Sequence, residues 1–277
     1  MKKRALIIIA SMFCLFSLSS NVSAGYLDTG WKNITKYDGL GGDNYSNSWY
    51  SANEDNEVEP GAVTGQNWDM EGFYLSDGTG DAATGSLAMV GGYNFVYGVG
   101  DIASGDIFID TNMDTTYWEY VLDLNFDQTD PENDSTYAVY KNSKDDQGNQ
   151  SIEIDTTLGG PSGTSGKAWT YISGGDLVSY NGATLQNLAL NYLTYQSDKE
   201  IGGDLTGDYH NKVTVDVSFL GPGTGFSAWS TMNCGNDALF GNEPASAAVP
   251  EPATLFLLGS GLLGLFGYRK KFRKTDK

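Results

Sequence analysis

Val213, Val215, Val217 and Phe219 alternate with Thr214, Asp216 and Ser218, the period-two arrangement of a β-strand with one apolar and one wet face. The same alternation runs through Trp118, Tyr120, Leu122, Leu124 and Phe126, with Glu119, Val121, Asp123 and Asn125 on the other phase. Trp118 therefore falls on the inward side. Ile107–Asp110 precedes this stretch across a polar turn, so the two read as a hairpin. Shorter strands are predicted at Leu87–Tyr97, Tyr137–Lys141, Ile152–Asp155, Trp169–Ile172 and Phe226–Met232, set apart by clusters of Gly, Ser, Asn and Asp. Leu185–Tyr195 fits two periods: Leu185, Leu188 and Tyr192 make a helical stripe, and Leu188, Leu190 and Tyr192 a strand, which the context favours. Many short strands without an internal repeat predict a mainly β fold, a single β-sandwich or jelly-roll-like domain.

The two ends follow different patterns. Met1-Lys2-Lys3-Arg4 is cationic, Ala5–Leu18 is apolar, and Val22-Ser23-Ala24 is a small-residue cleavage site, which together predict a secretory signal peptide helix over 1–24, cut after Ala24. The apolar part is shorter than the roughly 20 residues a membrane span needs. At the other end, Val249-Pro250-Glu251-Pro252 leads into an apolar run ending at Tyr268, then into Arg269, Lys270, Lys271, Arg273 and Lys274. The prolines keep the approach extended. As a helix the run from Ala253 to Tyr268 rises about 24 Å, short of a roughly 30 Å hydrocarbon core but able to span it with local thinning and snorkelling of the basic side chains. The division expected is a signal peptide at 1–24, an extracellular β domain at 25–242, a linker at 243–248 and a tail at 249–277 whose short transmembrane helix is held by cytoplasmic cations.

Composition sharpens this picture. Thirty-six Gly and 35 aromatic residues suit strands joined by tight turns. The 25–252 stretch keeps 7 of the 16 basic residues and 34 of the 35 acidic ones, a balance of 7 − 34 = −27. A surface of that sign repels nucleic acid and anionic lipid, and it suits solubility or bound cations. Once Cys14 leaves with the signal, Cys234 stands alone and no internal disulfide can form.

The tripartite tail resembles the PEP-CTERM sorting signal of Gram-negative bacteria. The resemblance implies export through the Sec translocon, transient tethering in the inner membrane, and processing by an exosortase that recognises Val249, Pro250, Glu251 and Pro252. It further implies delivery to the cell surface or an exopolysaccharide matrix. Thr231-Met232-Asn233-Cys234-Gly235-Asn236-Asp237 resembles a C-G-N-D segment that recurs ahead of such tails, and here it is expected to close the domain.

Three constellations are candidates for chemistry. Asp110, Asn112 and Asp114 place oxygens at alternate positions as a calcium loop does, but Thr115 and Val121 stand where an EF-hand needs Gly and Glu, leaving an ordinary polar turn or a structural Ca2+ site. Asp127, Asp130, Glu132 and Asp134 form a second acidic group open to the same two readings. Cys234 and His210, the single His, supply two members of a nucleophilic set without evidence of reach. The six Trp offer sugar-stacking faces, with Trp31 and Trp49 the surface candidates. With no recognisable catalytic motif, the chain is expected to be a non-catalytic surface or matrix protein without cofactor beyond the candidate Ca2+ site, with exopolysaccharide a candidate contact. The alternative is a secreted hydrolase using Cys234 and His210, or dispersed carboxylates.

Overall fold

The computed structural model describes residues 25–36, 62–76, 78, 85–100, 102–113, 117–130, 134–145, 147–155 and 169–246. The signal peptide, Ala24, Trp49, Asp114, the motif at 249–252, the apolar run and the basic tail lie outside the described residues. In chain order the strands are β1 (Trp31–Asn33), β2 (Thr35–Lys36), β3 (Met70–Ser76), β4 (Ser86–Gly91), β5 (Ile107–Asp110) and β6 (Tyr120–Asn125). They continue as β7 (Thr136–Lys141), β8 (Ile152–Asp155), β9 (Thr170–Gly174), β10 (Asp176–Leu177), β11 (Ser179–Tyr180) and β12 (Ala183–Thr184). The remainder are β13 (Leu188–Ala189), β14 (Asn191–Gln196), β15 (His210–Asp216), β16 (Phe226–Thr231) and β17 (Ala238–Glu243), with a short helix, α1 (Asp198–Ile201), before β15.

The fold is mainly β, with antiparallel sheets. One sheet runs β1-β3-β4-β15-β14; the larger runs β10-β7-β6-β5-β16-β17-β2, with β13 also on β7. The predicted hairpin forms, with Ile107 opposite Leu122. The inner faces of both sheets supply one core: Phe73, Leu87, Met89, Val213 and Val215 from the first, and Ile107, Ile109, Leu122, Val139 and Leu239 from the second. That shared core makes the domain a sandwich. Ile34 sits in it where the chain changes sheets, since β1 pairs with β3 and β2 with β17. The Asp216 N–H donates to the Tyr137 hydroxyl at 2.9 Å, tying the end of β15 in one sheet to β7 in the other.

Alternation predicts a wet outer face, and the structure departs from this in the central strands. Ala88 and Val90 on β4 and Tyr74 on β3 turn away from the shared core and pack with Leu27, Ile201 and Leu205. On the larger sheet Phe108, Val121 and Phe240 turn outward under Trp118, Ile152 and the half-buried Trp169 and Trp229. Trp118 is buried, but in this outer layer and not in the shared core to which its phase assigns it, because regular β6 begins only at Tyr120.

Other boundaries also shift. Regular β4 ends at Gly91, short of Tyr97, where the chain turns with Asn94 Oδ1 accepting the Val96 and Tyr97 amides. A Cβ on Gly92 would lie 2.0 Å from the Gln66 carbonyl, so only glycine allows that close passage. β15 ends at Asp216, whose carboxylate accepts the Ser218 amide at 2.7 Å and turns Phe219 into a single 3₁₀ turn. Leu185–Tyr195 resolves as strand, with Leu190 buried between β13 and β14. The expected linker begins one residue later than predicted, since Glu243 pairs with Phe226 as the last residue of β17 and accepts an ion pair from Lys32 at 2.7 Å.

Leu122 is fully buried in the shared core. Leu122→Ala should therefore cost about 2–5 kcal/mol in urea denaturation, against under about 0.5 kcal/mol for Leu177→Ala at the exposed edge.

Candidate functional site

Four groups of polar residues within this apolar frame bear on chemistry. The first surrounds His210. On β3 the register slips between Met70 and Gly72, leaving Glu71 as a bulge beside Gly91 of β4, which has no side chain to block the way to β15. Glu71 Oε2 meets His210 Nδ1 at 2.6 Å, and Asp198 Oδ1 of α1 meets His210 Nε2 at 2.8 Å. Gln66 donates from Nε2 to the other Glu71 oxygen and to the Tyr209 carbonyl.

His210 and Glu71 are wholly buried side chains. Burial by itself would push the imidazole pKa down, but the Glu71 carboxylate, followed by Asp198, outweighs it and holds the pKa above its ordinary 6.5. An imidazole with a carboxylate on each nitrogen donates from both only when protonated, so the group is a buried cation between two acids. It has no free nitrogen to act as a base. Its chemistry is that of a clamp, fastening α1 to β3 and β15.

The second place is the turn between β16 and β17. Cys234 is half-buried against the shared core, and burial raises its thiol pKa, the opposite of what an activated nucleophile requires. The Met232 carbonyl accepts the Gly235 amide, and Asn236 grips the backbone of Val63 through both its side-chain oxygen and nitrogen. Asp237 accepts the Met70 amide from β3 and the Ala238 amide. The C-G-N-D segment thus closes the domain by binding the strand that enters it. Since His210 spends both nitrogens on acids, the alternative Cys234 and His210 pair is not assembled.

The acidic turns form the third. Asp110, fully buried at the end of β5, accepts the Asn112 and Met113 amides on one oxygen, while the Asn112 side chain donates to Glu119 at 2.7 Å. Asp127 accepts the Thr129 and Asp130 amides and the Thr129 hydroxyl. These hydrogen bonds, the Thr129 side chain first, lower its pKa. Both turns organise their own backbone in this way, and among the described residues no group of three or more potential metal ligands gathers.

The fourth lies outside β5 and β6. Asp106 is buried, with one oxygen accepting the Leu124 amide at 2.8 Å and the other the Tyr171 amide at 2.7 Å. Burial pushes its pKa up to about 7, against those two amides. It pins the β8–β9 hairpin over the outer aromatic layer. There the rings of Phe108, Trp118, Trp169, Trp229 and Phe240 meet edge to face in a chain at 5.5–6.4 Å, and Tyr140 stacks on Tyr171 at 4.7 Å. Trp31, expected at the surface, is half-buried instead, with the Lys212 ammonium 5.1 Å from its ring.

Neither Glu71 nor Asp106 was singled out by sequence. Glu71 is a lone charge inside the apolar Met70–Leu75 run, a signal that could have found it. Nothing local marks Asp106, whose partner Tyr171 lies 65 residues away. A surface cavity of about 350 Å³, lined by Leu75, Tyr180, Leu220, Pro222, Phe226 and Pro244, adjoins the point where the described chain ends at Ser246.

Against known proteins, a family model for the PEP-CTERM protein-sorting motif matches residues 248–273. No curated protein and no solved structure matches the chain.

Because the His210 pKa is raised by folding, its contribution is complete below about pH 6.5 and is lost as pH rises through the folded value. The stability difference between wild type and His210→Ala should therefore be largest near pH 6, about 3–5 kcal/mol, and shrink as pH rises through the raised folded value in urea titrations.

Proposed function

We propose that this chain, which carries a PEP-CTERM sorting motif and is an exosortase-dependent exported protein, is a non-catalytic component of the cell surface or exopolysaccharide matrix. The sorting motif carries this reading, and the way the domain spends its reactive groups supports it. The one His lies between two carboxylates, the Cys234 thiol is held protonated by burial, and the acidic turns bind their own backbones. In this reading residues 1–24 bring the chain to the Sec translocon and are cut after Ala24. The apolar run and its basic cluster then tether the chain in the inner membrane until the exosortase acts near Val249, Pro250, Glu251 and Pro252.

The formal charge of −27 over 25–252 keeps the released domain soluble and away from nucleic acid and anionic lipid. Contact with polysaccharide falls to the outer aromatic layer around Trp169, Trp229 and the Tyr140–Tyr171 pair, since apolar ring faces with polar surroundings suit a pyranose.

Cells lacking the exosortase should accumulate a longer, envelope-bound form, whereas wild-type cells yield a shorter form at the surface or in the medium. Fractionation with mass measurement distinguishes the two, and identical mass and location in both strains would defeat the proposal.

A further inference from the structure

Gly25 is the residue that removal of 1–24 would leave as a new amino terminus. Its nitrogen lies 2.7 Å from Asp28 Oδ2, and Asp28 Oδ1 accepts the Gly203 amide at 2.9 Å. The next two amides, of Tyr26 and Leu27, donate to the Glu200 and Ile201 carbonyls at 2.9 and 2.8 Å, satisfying groups that the end of α1 leaves open. Leu27 is buried in the outer layer with Tyr74, Ala88, Val90 and Ile201. The fit at the first residue is tight: a Cβ on Gly25 would stand 2.5 Å from the Gly202 nitrogen and 2.9 Å from the Ile201 carbonyl carbon.

We infer that the α-ammonium of Gly25, released by processing, is a structural cation that seats on Asp28 and locks the 25–28 segment over α1. The inference rests on the reading of 1–24 as a cleaved signal. Hydrolysis breaks the Ala24–Gly25 peptide bond, places the oxygen of water on the Ala24 carbonyl carbon, and leaves the Gly25 nitrogen as an amine that takes up a proton. Before the cut that nitrogen carries one hydrogen and no charge; afterwards it carries three hydrogens and a positive charge, and its hydrogen bond to Asp28 becomes an ion pair. The Asp28 carboxylate already makes the uncut bond charge-assisted, and the new ammonium adds a full opposite charge to it.

The other charged groups nearby are committed elsewhere or stand apart. The Glu200 carboxylate accepts the Ser197 amide and hydroxyl, the Asp198 carboxylate faces His210, and the Lys212 ammonium lies over the Tyr26 and Trp31 rings. Lys199 on α1 and Asp204 in the turn beyond it are exposed side chains. The carboxylate that reaches the Gly25 nitrogen is that of Asp28. Processing thus completes one outer layer of the sandwich, and the domain becomes most stable only after it has left its leader.

The test uses the protein recovered after export. Amino-terminal sequencing identifies the first residue, and labelling with an amine-reactive reagent near neutral pH reads the α-amino group by mass. An ion-paired α-ammonium should label about tenfold more slowly in the folded protein than in the same protein in urea, because the reagent attacks only the deprotonated amine. Asp28→Asn should restore the fast rate while folded, and a variant retaining Ala24 should show it too. If Gly25 is the first residue and labels equally fast folded and unfolded, the inference falls while the signal reading stands. If the mature chain starts elsewhere, the signal reading falls and takes the inference with it.

Discussion

Burial of apolar surface on both faces of the central strands is the constraint on which this domain depends. Among the described residues no disulfide joins the sheets, Cys234 being free, so stability comes from packing. The shared core accounts for the inner faces. The outer faces need covers of their own, and each cover is fastened by a buried carboxylate: Glu71, through His210 and Asp198, holds α1 on one side, and Asp106 holds the β8–β9 hairpin on the other. A buried acid without hydrogen bonds costs several kcal/mol, so each anchor also penalises the loss of its cover.

The inner architecture was legible because its signal is local. In Val213 and Val215, or Leu122 and Leu124, the side-chain period is visible within a few residues, and the hairpin of β5 and β6 follows from one polar turn. The outer layers were not legible, because their positions look wet. Val121 shares its phase with Glu119 and Asp123, and Ala88 and Val90 merely lengthen an apolar run, so nothing in the neighbourhood announces a second buried face. Anchors between distant residues leave still less trace. Glu71 and His210 are 139 positions apart, and their meeting depends on a bulge in β3 and a bare Gly91 in β4.

Address and cargo separate cleanly along the chain. The motif matched at 248–273 directs export and exosortase-dependent processing, and it lies beyond the last described strand, which ends at Glu243. The cargo is an acidic sandwich in which Glu71, His210, Asp198 and Asp106 hold its own elements together. Cys234 shows the distinction well: placed in a turn whose Asn236 and Asp237 hold the backbone at Val63 and Met70, it belongs to the structure that the tail delivers.

Native-state hydrogen exchange on the exported protein measures the outer layers directly, amide by amide. If carboxylate-anchored covers complete the sandwich, the amides of Tyr26, Leu27 and Tyr171 will be protected together with those of β4 and β5. Exchange of those three at the rate of an unfolded chain, while β4 and β5 stay protected, would mean that the inner core stands without its covers and that the anchors hold nothing.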